Sequence, residues 1–337
     1  MLMERTVLLA HGGGGVQTQQ LIDRVFKAHF ANPYFTADDA AVLPMGKERL
    51  AFSTDGFIVS PPFFPGGNIG KLSICGTVND LACMGAEPLW LSCAFVLEEG
   101  FALEDLERIA QAMAETAKEA GVALVAGDTK VASKGQVDKV FITTSGIGRI
   151  LPGIATSGAK ACDGDAILVT GDIGRHGAAI LLAREEFGIE AQVTSDCAPL
   201  WHLVEASLKT CPDIHVIRDA TRGGVGTVLY EIAGQSQVGI EITQEDIPVD
   251  PQVRGICNML GLDPLYLACE GRLVLMVPKE HAQDILKSLQ ALPHGQGAKC
   301  IGYVNAHLKP GSVVVETAIG AKTLLPRPTG ELLPRIC

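Results

Sequence analysis

The chain has 337 residues, 47% of them hydrophobic, with 38 glycines and a formal net charge of -11. That length supplies a sizeable core and about two domains, while the acidic balance excludes a nucleic-acid or anionic-membrane surface as the main partner and suits a cation such as Mg²⁺. No apolar stretch approaches the length of a spanning helix, so the expectation is a soluble, cytoplasmic protein.

Taken in chain order, Gly12 to Gly15 follow His11 and precede a helical pattern from about Gln17 to Phe30. Such glycines let backbone N–H groups close around an anion, although a plain flexible turn explains them equally well. Asp38 and Asp39 stand before an apolar run, and Leu50 to Thr54 forms a strand that ends on Asp55, where α/β enzymes place site residues. The stretch Phe63 to Ser73 mimics a phosphate loop, but Pro65 stands at the first glycine position and Leu72 at the Ser/Thr position, so that reading is rejected. A helix is expected there instead, running through Ile74, Val78 and Leu81 and carrying Asp80 near its end before Gly85.

Leu103, Leu106, Ile109, Met113 and Ala117 recur at helical spacing and Gly121 terminates the pattern. Val122 to Ala126 then reads as a buried strand delivering Gly127-Asp128-Thr129-Lys130 at its end, and Val140 to Gly148 as the last strand of a first unit. Periodicity lapses from Arg149 to Gly164, which places the boundary. The second unit shows strands at Asp165 to Thr170, Ile214 to Ile217, Leu273 to Val277 and Ile301 to Val304, with a helix over about Lys279 to Leu292. Arg218 to Gly224 leads into a helix with Thr221 as the expected N-cap, its glycines allowing close approach to a phosphate or a facing chain. Glu270 is an acid at a strand entrance, a surface ion-pair partner or, if it faces a cleft, a proton acceptor.

The end of the chain, Leu325 to Cys337, holds three prolines and closes on a thiol. It reads as a flexible, extended arm or as a frayed terminus. The ten cysteines include no Cys-x-x-Cys pair and mostly sit in apolar contexts, as free buried thiols do, so that only Cys337 is placed for chemistry by its position. Four carboxylates at Asp39, Asp55, Asp80 and Asp128 would repel one another if they converged, unless divalent cations compensated them.

Asp38-Asp39-Ala40-Ala41, Thr54-Asp55, Asn79-Asp80, Gly85-Ala86-Glu87-Pro88 and Gly127-Asp128-Thr129 together resemble the superfamily of aminoimidazole ribonucleotide synthetase, selenophosphate synthetase and thiamine monophosphate kinase. Within it, Phe63 to Thr77, Gly127 to Lys130, Arg218 to Gly224 and the terminal Pro334-Arg335-Ile336-Cys337 resemble the HypE family of hydrogenase maturation factors. Gly56, where serine is expected after Thr-Asp, departs from the pattern. The resemblance implies a mixed α+β, two-domain PurM-like fold. It divides the chain into a glycine-rich segment 1–37, an N-terminal domain 38–150 that binds ATP and Mg²⁺ and forms a dimeric β-barrel, a C-terminal α+β domain 160–305, and a segment 306–337 ending in the flexible tail.

It also implies an activity, the ATP-dependent dehydration of a carbamoylated C-terminal cysteine to thiocyanate, which supplies cyanide for the iron of [NiFe]-hydrogenase. Cys337 would carry the group, Lys130 would stabilise negative charge and Glu270 would accept a proton from nitrogen. Asp39, Asp55, Asp80 and Asp128 would hold Mg²⁺, and these with Thr129 the nucleotide. The implied partners are a second copy in a homodimer, the carbamoyltransferase HypF, and a HypC–HypD complex as cyanide acceptor. Two rivals fit less well. A selenium-transfer enzyme would want a reactive cysteine or selenocysteine in the His11 to Gly15 loop, and a metallochaperone would leave the acidic positions unexplained.

Overall fold

The computed structural model describes residues 15–23, 32, 38–185 and 187–327. The expected arm beyond residue 327 with Cys337, the His11 to Gly14 loop and the second half of the helix expected to end at Phe30 lie outside the described residues.

After a short helix α1 (Val16–Leu21), the first unit builds strands β1 (Ala41–Met45) and β2 (Glu48–Phe57), a small hairpin of β3 (Phe63–Phe64) and β4 (Gly67–Asn68), and helix α2 (Ile69–Cys83). Strand β5 (Ala86–Glu98), helix α3 (Leu103–Ala120) and strands β6 (Ala123–Ala132) and β7 (Val140–Ile150) complete it. The false phosphate loop is therefore a hairpin running into a helix, whose N-cap Asn68 accepts from Gly70 N and Lys71 N through its side chain. Helix α2 is apolar nearly all round and correspondingly buried, whereas α3 buries only Ile109, Met113, Thr116 and Ala117 and stops at Gly121 in the left-handed region.

The first sheet has the order β1-β2-β7-β5-β6, antiparallel except for the parallel pair β5/β6. Five strands in that order form an open sheet, and the described residues of the single chain close no barrel. Strand β6 departs from expectation in two ways. It lies at the edge and is exposed along almost its whole length, instead of buried, and it continues to Ala132, so that Asp128 and Lys130 lie within it and not at its end. Its apolar side chains, among them Val125 and Val131, lack a covering layer in the single chain.

The second unit comprises β8 (Ala166–Val169), α4 (Arg175–Ala183), α5 (Trp201–Thr210), β9 (Val216–Asp219), α6 (Gly224–Ser236), β10 (Ile240–Thr243) and α7 (Pro251–Leu260), then β11 (Leu273–Val277), α8 (Ala282–Gln290), β12 (Lys299–Val304), β13 (Val313–Glu316) and β14 (Lys322–Leu324). Its seven strands run in the order β14-β13-β10-β12-β8-β11-β9. Strands β8 and β11 are wholly buried, and their alternate residues feed two clusters: Leu168, Leu275 and Val277 on one face, Ile167, Val274 and Met276 on the other. Burial on both faces is why these strands read as continuous apolar runs.

The first of those clusters also takes in Leu81, Ala82 and Met84 from the end of α2, together with Leu200, Leu203 and Leu208 of the second unit. The two units therefore share one core, in which full burial of a Leu or Met side chain is worth about 1.5–3 kcal/mol. Asn79 sits at this seam, donating to Ala198 O at 3.1 Å and accepting from Leu200 N at 2.8 Å. Its neighbour Asp80 is thereby held between the two sheets.

Candidate active site

Six acids meet in one cleft of about 320 Å³: Asp39 just ahead of β1, Asp55 on β2, Asp80 on α2, Asp219 closing β9, Glu231 on α6 and Glu270 just ahead of β11. Thr54, His176, Arg218, Thr221 and Arg222 also line it. Three of the four aspartates expected to converge therefore do so. Asp128 does not, nor do Thr129 and Lys130: all three lie on exposed β6, where Lys130 Nζ pairs with Asp128 Oδ2 at 2.8 Å, and none lines the cleft.

Burial dominates the electrostatics. Asp39 is pushed up to about 8, because loss of water and the nearby Asp219 and Glu231 outweigh Arg218, whose Nε lies 2.8 Å from Asp39 Oδ1. Asp219 is raised to about 6, again by burial against the opposing pull of Arg218. Asp80 is held well above the carboxylate range by burial and by Asp219, Asp39 and Asp55, despite accepting a 2.6 Å hydrogen bond from Ser53 Oγ. Asp55 is raised by burial, with Arg222 and the Gly56 N–H opposing; the backbone of Gly56 donates to Asp55 Oδ1 at 2.9 Å. For Arg218 burial alone would lower the guanidinium, but Asp39, Glu231 and Asp219 outweigh it and raise it.

This is a site with more buried carboxylates than cations to balance them. It fits a hard divalent ion, which takes oxygen ligands. Ligand atoms of Asp39 and Asp219 lie within 4.8 Å of each other, and Asp39 Oδ2 is buried with no hydrogen-bond partner among the described residues. Asp219 belongs to this set, and sequence reasoning missed it. The signal was available, since Asp219 ends a strand and precedes a glycine turn, the rule already applied to Asp55.

On the other wall, Glu270 is buried and its carboxyl is pushed well above the usual value by loss of water and by Cys197, Asp219, Asp196 and Asp55. Its backbone is pinned: Asp196 accepts from Glu270 N at 3.2 Å and from Gly271 N at 3.3 Å. A Cβ on Gly271 would come within 1.8 Å of Asp196 O, so only glycine permits this approach. His176 is buried, its pKa lowered to about 3 by burial, and its Nδ1 lies 2.8 Å from Ser195 Oγ, so it stays a neutral wall of the cleft. At the mouth, helix α6 begins on Gly223 in the left-handed region, not on a Thr221 cap: Thr221 O accepts from Gly224 N, leaving the Thr221 side chain to the cleft. The N-terminus of α6 therefore meets the acid-lined cleft, an arrangement suited to phosphate once cations are present.

The AIR synthase related protein N-terminal and C-terminal domain models match residues 37–150 and 163–315. The chain is 46% identical over 337 residues to the carbamoyl dehydratase HypE of Escherichia coli (strain K12), covering 98% of this chain and 99% of the relative. The chain belongs to the HypE family of carbamoyl dehydratases. Two solved HypE-family structures match it closely. The HypE of a HypE–HypF complex has a TM-score of 0.87 at 46% identity, covering 91% of this chain and 99% of that one. A HypE in complex with ATP has a TM-score of 0.83 at 48% identity, covering 98% and 100%. The HypE family thus accounts for both sheets, and the two-domain PurM-like reading of the fold holds. No helix among the described residues is long and apolar enough to cross a membrane.

Proposed function

We propose that this chain uses ATP to dehydrate a carbamoyl group carried on Cys337, turning the thiocarboxamide into a thiocyanate whose cyanide is passed to the iron of a [NiFe]-hydrogenase. The observation that carries the reading is the pairing, in one cleft, of a carboxylate set at partly buried Asp39, Asp55 and Asp80 and buried Asp219 with a separately pinned, buried Glu270. The first wall is built for a cation and a polyphosphate, the second for a proton.

The chemistry balances as R–S–C(O)NH₂ plus ATP giving R–S–C≡N, ADP and phosphate. Amide oxygen is a poor leaving group, so it first takes the γ-phosphoryl group of ATP, and the nitrogen gives up one proton. Breaking the C–O bond then releases phosphate as the second N–H proton leaves. Mg²⁺, when bound, would neutralise the triphosphate. Asp39, Asp55, Asp80 and Asp219 would hold it, Arg222 and the N-terminus of α6 would face the phosphates, and Glu270 would take up a proton from nitrogen, its proton affinity raised by burial. Asp128, Thr129 and Lys130 retain the nucleotide and charge-stabilising roles implied by the family only through a homodimer, in which β6 of one protomer meets the cleft of the other. The exposed edge of β6 supports that arrangement.

The HypF relationship extends to this chain as a proposal: a HypF-type carbamoyltransferase would load Cys337, and a HypC–HypD complex would accept the cyanide. Incubation of the full chain with such a transferase, carbamoyl phosphate and Mg-ATP, followed by intact mass and C-terminal peptide mapping, tests the reading. A carbamoyl adduct on Cys337 that loses water only with ATP is expected. An unmodified Cys337 beside a demonstrably active transferase would overturn it.

A further inference from the structure

Away from the cleft, a second group of donor atoms gathers where the connector between the two units meets the second sheet. Cys162, Asp165 and His215 each place a ligand atom within 4.8 Å of the other two, and none of them lines the cleft. The turn ahead of β8 builds the first half. Cys162 N donates to Asp165 Oδ2 at 2.8 Å and Asp165 N donates to Cys162 O at 3.1 Å, folding the cysteine back over the carboxylate. His215 enters from the loop ahead of β9, held by its own N–H to Met276 O and by Ser157 N to its carbonyl, both at 3.1 Å. Its Nδ1 lies 2.8 Å from Asp165 Oδ2.

The His215–Asp165 contact alone would be an ordinary structural pair. Cys162 is what changes its meaning. The thiol is on the exposed side of the group and donates to Lys160 O at 3.4 Å. Burial and the carboxylates of Asp165 and Asp213 push it above its usual range, so the charges facing it are negative. Sulfur, imidazole nitrogen and carboxylate oxygen in one cluster are the donors of a borderline divalent ion, not of Mg²⁺ or Ca²⁺, which take oxygen.

We infer that Cys162, Asp165 and His215 form a zinc-type site with an open position toward solvent. On binding, the Cys162 S–H bond breaks, the proton goes to water and the thiolate binds the metal. The Asp165 side chain is 3% exposed and that of His215 20%, so the site has a buried floor and an accessible face, as an open three-ligand site requires. Its place in the fold gives it a consequence. Ser157, bonded to His215, also donates its Oγ to Asp38 at 3.0 Å, and Gly158 N donates to Asp38 at 2.9 Å. Asp38 directly precedes Asp39, so a metal here would brace the connector on which a cleft acid depends.

The test uses the full chain in excess Mg²⁺, added to compete for the carboxylates of the cleft. Zn²⁺ is added, the protein is passed through a gel-filtration column and its metal is counted, and Co²⁺ is then substituted to read thiolate-to-metal charge transfer. The unsubstituted chain and a Cys337→Ser variant are expected to retain one equivalent of zinc and the charge-transfer band. Cys162→Ser, a change at an exposed side chain, is expected to lose both, and His215→Gln to lose the zinc. Zn²⁺ is also expected to suppress alkylation of Cys162. If the unsubstituted chain retains no zinc, or if Cys162→Ser keeps the same zinc and the same band, the site does not exist. Should His215→Gln fail to fold, Cys162→Ser decides the matter alone.

Discussion

Arg218 Nε lies 2.8 Å from Asp39 Oδ1 with both side chains nearly out of solvent, yet this one cation is shared with Glu231 and faces Asp219 as well. The cleft is thus under-compensated, and the shortfall has a pH signature. Asp39 ordinarily loses its proton near 3.8 but is held up at about 8 in the folded chain. Between those values the folded protein binds a proton that the unfolded chain has released, so the stability of the metal-free protein falls as pH rises through that window. Mg²⁺ held by these acids, as proposed, would compete with the same protons, and with that of Asp219 at about 6. Its stabilising effect should therefore grow from about pH 6 to about pH 8 and then level off. Thermal unfolding with and without Mg²⁺ across this range measures it; a Mg²⁺ shift independent of pH would show that these acids are not the ligands.

Glu270→Gln removes the proton acceptor while keeping shape and the backbone pin to Asp196. Loss of a positioned general base costs about 10²- to 10⁴-fold in rate, so carbamoylated Cys337 should accumulate while binding of Mg-ATP is retained. Intact mass reads the adduct and calorimetry the nucleotide. Thiocyanate formed at the unsubstituted rate would remove Glu270 from the mechanism.

Gly271→Ala probes the same wall through the backbone. The new Cβ would meet Asp196 O at 1.8 Å, so the main chain at Glu270 must move. A shift of this kind at a functional group is expected to lower dehydration more than it lowers nucleotide binding. Equal losses in both would indicate general unfolding instead of a misplaced carboxylate.

The sequence made the individual elements legible and the partnerships between them much less so. Strands at β2, β7, β8 and β11 and helices α2 and α3 follow from apolar spacing and from Gly121, because those signals are local. The exposure of β6 was not local: its apolar residues look like a core strand, and only its position at the end of the sheet order leaves them bare. Asp39, Asp55 and Asp80 meet in the cleft as expected, since acids beside apolar runs are conspicuous in the sequence. Asp219 lay inside a stretch already marked for phosphate approach, and the glycines there drew the reading to backbone instead of side chain. Likewise the left-handed backbone at Gly223 displaced the expected Thr221 cap, a choice that depends on the turn geometry and not on residue preference.

Asn79 joins the two units by an amide that both donates and accepts, so its loss is felt at the seam. Asn79→Ala leaves Ala198 O and Leu200 N unpaired in a buried setting, which should cost about 2–3 kcal/mol. Urea unfolding should show a lower midpoint. Because Asp80 is the next residue, Mg²⁺ binding should weaken along with stability, whereas a purely local loss would leave metal affinity intact.

Lys130 and Asp128 pair with each other on an exposed edge strand while Asp55 lines the cleft, so a shared site makes a sharp demand on mixtures. The Lys130→Ala and Asp55→Asn proteins should each be inactive in thiocyanate formation. If each site takes β6 from one protomer and the acids from the other, mixing the two variants and letting subunits exchange creates heterodimers with one undamaged site. Activity should then reappear on mixing, and only after exchange. If no activity returns although mass analysis shows that heterodimers have formed, Lys130 and Asp55 do not serve one site across protomers, and β6 has no part in the chemistry of the partner cleft.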